Sequence, residues 1–162
     1  MPHVMSRSSH SILLFLVLLM GLSLLCGCHS GTVYSHYEPV PLEGWRNDDT
    51  IRFQLGPVME GGTFHDELAL RTTSAYPYTH LSLVVRRQVL PDGNLYTDSI
   101  TIPLTDSQGS STGVGATLRH HVLPLSLIRL DSAQHLSVSI HHNMKKEVLP
   151  GISDLGMTIT KR

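Results

Sequence analysis

From Thr50 onward, apolar and polar residues alternate in short runs separated by turn-forming residues. Ile51, Phe53 and Leu55 share one parity, with Arg52 and Gln54 on the other, the period of a half-buried strand. Gly56-Pro57 stops it and Gly61-Gly62 turns the chain. Phe64, Leu68 and Leu70 then alternate with His65, Glu67 and Arg71. Asp66 interrupts this apolar face, so the strand is expected to enter the core only after it. Ser74 to Thr79 is a corner in which Tyr76 and Tyr78 flank Pro77. The proline biases the residue before it to an extended conformation.

Leu81 to Leu90 is the most strand-like segment, with Leu81, Leu83, Val85 and Val89 inward and Ser82, Arg86 and Gln88 outward. Arg87 falls on the inward parity, which predicts a rim position or an acidic partner, Asp98 being a candidate. Pro91-Asp92-Gly93-Asn94 supplies a turn. Leu95 to Leu104 returns with Tyr96, Ile100, Ile102 and Leu104 on one face, completing a hairpin. Asp106 to Gly115 has no apolar face and reads as a long surface loop. Leu118 to Leu130, interrupted by Pro124, reads as two short strands or a strand and a helical turn. Leu136, Val138 and Ile140 mark another strand. Asn143 to Gly151 is a basic loop, and Leu155, Met157 and Ile159 mark the last strand. Seven or eight antiparallel strands at this spacing, with no helical period, predict an all-β, two-sheet β-sandwich. Jelly-roll and immunoglobulin-like topologies both fit.

The N-terminal pattern differs. Ile12 to Leu25 is a 14-residue apolar block, about 21 Å long as a helix, against about 30 Å of bilayer hydrocarbon. That is short for a permanent span and suits a secretory leader. It ends in Leu25-Cys26-Gly27-Cys28, the Leu-x-Gly-Cys pattern of a bacterial lipoprotein. In this reading residues 1–27 are a signal peptide. Cys28 carries diacylglycerol through a thioether and an N-acyl chain once cleaved. Residues 28–49 are a lipidated tether and residues 50–162 the sandwich. Each buried methylene contributes about 0.8 kcal/mol, so two or three acyl chains anchor the protein in the bilayer. His29 in place of an aspartate, and no acidic run after Cys28, point to the outer membrane, facing the periplasm.

Composition narrows the function. With Arg7 removed in the leader, 11 basic residues stand against 13 acidic ones, so there is no basic field for nucleic acid. The only cysteines are Cys26 and Cys28, which leaves the mature domain without a disulfide. Eleven histidines raise the question of metal. Yet His120-His121 and His141-His142 are adjacent, and neighbours on a strand point to opposite faces. A pair from different strands, such as His65 with His120, remains the open alternative. No nucleophile elbow or phosphate cradle is present. Trp45, the single tryptophan, either closes the core edge or presents a partner hot spot. Tyr76, Pro77, Tyr78, Lys145 and Lys146 complete the candidate partner surface. No catalytic residue, metal ligand or cofactor beyond the lipid is expected.

Several motifs, taken in order, resemble the gliding-motility lipoproteins of the GldH type from Bacteroidetes. They are Tyr34 with Tyr37, Gly44-Trp45-x-x-Asp48-Asp49, Tyr76-Pro77-Tyr78, Pro91-Asp92-Gly93 with Thr97-Asp98, Leu104-x-Asp106-x-x-Gly109, and Leu149-Pro150-Gly151-Ile152-x-Asp154-Leu155-Gly156. The family's usual tryptophan in the glycine-containing loop is missing from Ser110 to Gly115. The resemblance implies a non-catalytic lipoprotein assisting gliding or type IX secretion through contacts with other envelope proteins. The competing expectation is a carbohydrate- or metal-binding sandwich of the envelope.

Overall fold

The computed structural model describes residues 31–162. The expected leader, Cys28 and the first residues of the expected tether lie outside that range. Eleven strands follow in order: β1 (Thr32–Pro39), β2 (Trp45–Arg46), β3 (Ile51–Leu55), β4 (Gly62–Thr72), β5 (His80–Leu90), β6 (Asn94–Pro103), β7 (Arg119–Pro124), β8 (Ile128–Leu130), β9 (His135–His142), β10 (Val148–Leu149) and β11 (Ile152–Lys161). Eight of them run five residues or longer, against the seven or eight predicted, and one of the eight, β1, was not among the strands expected.

Those eight form two antiparallel sheets, β1-β11-β4-β7 and β3-β9-β5-β6, with β8 also on β4 and β10 paired to β2. Counted among the eight long strands, the first pairs the last, the second the seventh, the third the sixth and the fourth the fifth. That is one long antiparallel hairpin rolled up on itself, a jelly roll. The choice that alternation left open is thereby made.

The inner faces meet in a single core. Leu68, Leu70, Leu155 and Met157 of one sheet oppose Leu83, Val85, Val138 and Ile140 of the other, all at most 1% exposed. Alternation named each of them, because a strand with one wet face must place every second side chain in the core. Pro124 ends β7, so the apolar stretch after Leu118 is two short strands.

Three expectations are corrected. The tether expected over residues 28–49 is in part a strand: Thr32 to Pro39 pairs along β11 from Thr160 to Asp154. β1 is an edge strand held by backbone pairing more than by side-chain burial, so it carries little alternation. An edge also tolerates Pro39. Second, β4 does not wait until after Asp66 to enter the core, since Phe64 is already 1% exposed and Asp66 itself is fully buried. Third, Tyr96 has the expected inward parity but remains 48% exposed, because β6 is an edge strand whose first residues outrun the core.

The buried acid explains Arg87. Its guanidinium crosses between the sheets, with Nη1 donating to Asp66 Oδ2 at 3.1 Å and Nη2 to Asp98 Oδ2 at 2.7 Å. Nη1 also donates to the Ser126 carbonyl at 2.7 Å, and Nη2 to the Ser126 hydroxyl. Asp98 was the expected partner, and Asp66 is a second one. Burial pushes the Asp66 carboxyl up, against the opposing pull of Arg87.

Candidate functional site

In this roll, the connections that leave the first, third, fifth and seventh long strands all emerge at one end. They are residues 40–50, 73–79, 104–118 and 143–151. Every residue singled out for a partner surface belongs to one of them: Trp45, Tyr76, Pro77, Tyr78, Lys145 and Lys146. The chain separates these residues by up to a hundred positions, and the topology returns them to one end.

Hydrogen bonds join the four loops into a continuous platform. Asn47 N–H donates to the Glu147 carbonyl at 2.9 Å, Thr73 N–H to Gly151 at 2.8 Å, and Leu104 N–H to Thr79 at 2.8 Å. Arg46 reaches both Asp48 at 3.0 Å and Glu147 at 3.3 Å. Gly151 has φ +80°, and a Cβ there would lie 2.2 Å from the backbone nitrogen of Tyr76. Only glycine lets these two loops touch.

Two buried histidines fasten the platform to the sheets. His142 Nδ1 accepts from Met144 N–H at 3.4 Å, so its proton sits on Nε2, which donates to the Trp45 carbonyl at 3.1 Å. The His142 and Trp45 rings meet edge to face at 5.4 Å. His121 lies between Thr72 Oγ1 at 3.3 Å and Thr112 Oγ1 at 3.2 Å, joining β4 to the glycine-containing loop. Burial is the main cause pushing both imidazoles below their ordinary range. Sequence reading weighed these histidines only as metal ligands. The signal it had was parity: His121 and His142 are the members of each adjacent pair on the inward side.

The partner candidates divide by exposure. Trp45 is fully buried, its Nε1–H donating to the Asp49 carbonyl at 3.1 Å. Its ring therefore closes the core and is not part of a contact surface. Tyr76 and Tyr78 are half-buried, with rings edge to face at 5.7 Å, and the Tyr76 hydroxyl donates to the His80 carbonyl at 2.9 Å. Burial raises the Tyr76 phenol pKa. Pro77, Lys145 and Lys146 are exposed. Leu42 at 102% and Val114 at 80% stand on the same four loops, and sequence reading did not single them out.

Among the described residues, no three His, Cys, Asp or Glu side chains converge as a metal site. His65 and His120 do not meet: His120 pairs opposite Arg71, six residues along β4 from His65, about 20 Å at strand rise. His120 instead contacts the Tyr37 hydroxyl at 3.3 Å. That ring lies over Gly156, where a Cβ would come within 2.4 Å of it, and under the Arg71 guanidinium at 4.1 Å. An open groove of about 590 Å³ runs along the seam by β1 and β3 past Glu38, Asp48, Asp49 and Arg52.

The sequence profile of the GldH lipoproteins matches residues 32–159, from β1 through β11. The chain belongs to the GldH lipoprotein family. The match begins at the first residue of β1, so for this GldH-family chain the jelly roll and the family region coincide. No curated protein matches the sequence. Among solved structures, tripeptidyl peptidase 2 is similar at 12% identity and TM-score 0.48, over 79% of this chain. The chain spans only about a tenth of that protein's length, 10%. A family 35 carbohydrate binding module from Clostridium thermocellum is similar at 12% identity and TM-score 0.37, over 75% of this chain and 77% of that one. The cellulose-specific module CBM28 gives 11% identity and TM-score 0.40, over 79% and 73%. Likeness at this level says nothing of function.

Proposed function

We propose that this GldH-family chain is a non-catalytic lipoprotein of the outer membrane, facing the periplasm. In that role it holds a protein of the gliding-motility and type IX secretion machinery on its four-loop end. The observation that carries the reading is the convergence of Tyr76, Pro77, Tyr78, Lys145 and Lys146, with Leu42 and Val114, on a hydrogen-bonded platform at one end of the roll. Aromatic and apolar groups on rigid loops, with polar groups beside them, are what protein contacts use.

The position of the anchor supports it. β1 starts at Thr32, at the end opposite the platform, and its eight residues span roughly 25 Å. Cys28 precedes Thr32 by four residues, so a lipid there is tied to that opposite end within at most about 14 Å of chain. A lipid there leaves the platform unattached and available to soluble or machine-bound partners.

The test is complementation of a deletion strain by the full chain, scored by export of type IX cargo and by spreading. Deletion is expected to impair both. A variant carrying L42S, V114S, K145E and K146E is expected to accumulate normally and fail to restore them. M59S, at the opposite end and 94% exposed, is expected to restore them fully. Normal export and spreading in the deletion strain, or full rescue by the loop-end variant, would sink the proposal.

A further inference from the structure

The outer face of the β3-β9-β5-β6 sheet has a composition that the loop-end reading does not use. One row across its four strands is Arg52, Ser139, Arg86 and Thr97. The next is Gln54, Ser137 and Gln88, ending at Leu95. On the other side of the arginine row, His141 lies beside Val84 and Ser99. No outward position of these four strands is an aspartate or glutamate. The acids of the hairpin are elsewhere, Asp98 turned inward to Arg87 and Asp92 in the turn. The other sheet differs, since its outer face carries Glu67 on β4 and Asp154, which pairs with Arg71 at 3.4 Å.

Both arginines are exposed, and among the described residues neither makes an ion pair or a side-chain hydrogen bond; Arg52 stands where this face meets the groove of Glu38, Asp48 and Asp49, whereas Arg86 lies within the face, one strand in from its edge. They stand two strands apart in one row, about 10 Å between backbones. A guanidinium is a fork of donors suited to carboxylate or phosphate oxygens. Around them the face offers hydroxyls and amides at strand spacing, but no aromatic anchor, and its apolar members are half-buried Val84 and Leu90 and the edge-strand residues Leu95 and Pro103. A protein partner would lack the hot spot such contacts need. A flexible polyhydroxylated anion needs only matching donors and acceptors and tolerates bridging water.

We propose that this sheet face binds an acidic glycan, with Arg52 and Arg86 holding its anionic groups and the serine, threonine and glutamine rows contacting its hydroxyls. It is a second surface, independent of the loop platform.

The test uses the full chain in a neutral detergent and measures binding at low salt to polygalacturonate, to neutral dextran, and to phosphatidylcholine vesicles with and without phosphatidylglycerol. Polygalacturonate binding is expected, weakening as salt rises, with no dextran binding. The R52Q/R86Q variant keeps a polar, hydrogen-bonding side chain, shorter than the guanidinium it replaces, while removing both charges. It is expected to lose about tenfold or more in affinity with an unchanged melting temperature. L42S/V114S, on the loop platform, is expected to bind polygalacturonate as the parent does. Absence of polygalacturonate binding, equal binding by R52Q/R86Q, or binding confined to the anionic vesicles would each overturn the proposal.

Discussion

Replacing Arg87 by methionine should be among the most damaging single changes available in this domain. Arg87 is 3% exposed and Asp66 is fully buried, with 3.1 Å between them. Methionine fills much of the volume but leaves a carboxylate in the core without its cation. Breaking a buried pair in this way costs about 3–5 kcal/mol. For a domain of this length that lowers the melting temperature by about 10–20 °C. Asp66→Asn should cost distinctly less, because Arg87 keeps Asp98 at 2.7 Å and the Ser126 carbonyl, and the amide oxygen still accepts.

The pH dependence separates lost charge pairing from lost packing. Burial already raises the Asp66 pKa, and removing Arg87 raises it further. A carboxyl whose folded pKa lies above its unfolded value favours the folded state fully below the unfolded pKa and loses that contribution as pH rises through the folded one. The deficit of R87M relative to the parent should therefore shrink steadily as pH is lowered from 7 toward 4, as Asp66 takes a proton. Urea unfolding of both proteins across that range is the assay. A deficit that is flat with pH, or a larger loss in D66N than in R87M, would refute the electrostatic account and leave packing as the cause.

Other consequences concern the platform. Gly151 and Gly93 have φ +80° and +79°, but a Cβ at Gly93 meets nothing within 4 Å. Gly93→Ala should cost about 1 kcal/mol from the backbone alone, and Gly151→Ala clearly more, both read from urea midpoints. His121 and His142 have folded pKa values below the unfolded value, so their contribution is complete above about pH 6.5 and is lost as pH falls through that value toward the depressed folded ones. Stability should drop between pH 7.5 and 5.5, and the drop should diminish in H121N/H142N, measured by the same unfolding series. Trp45→Ala should cost about 3–5 kcal/mol, seen as a large fall in melting temperature, because the ring is core and not surface.

How much was legible depends on what kind of interaction holds each residue. Positions held by burial on a two-residue period were visible along the chain: the long strands β3, β4, β5, β6, β9 and β11, the hairpin at Gly93, and the inward sets such as Leu136, Val138 and Ile140. The Arg87–Asp98 pair was visible because a charge on the apolar parity demands a partner, and Asp98 lay close by in sequence. Asp66 was misjudged because its compensation comes from the opposite sheet, and nothing local shows which strand will face it. β1 was missed because an edge strand is defined by backbone pairing to β11, more than a hundred residues away, which leaves no mark on side-chain pattern.

The sequence alone determined the alternation, hence two sheets and one core, together with the leader-and-cysteine pattern and the ordered motifs of the family. Only the tertiary structure decided that the roll is a jelly roll, that Trp45 belongs to the core, and that Tyr76, Pro77, Tyr78, Lys145 and Lys146 share one end. The reason is physical. Side-chain period is a local property, set by the pleat of one strand. Strand order and loop convergence are set by long-range pairing, which depends on how the whole set of faces is buried together.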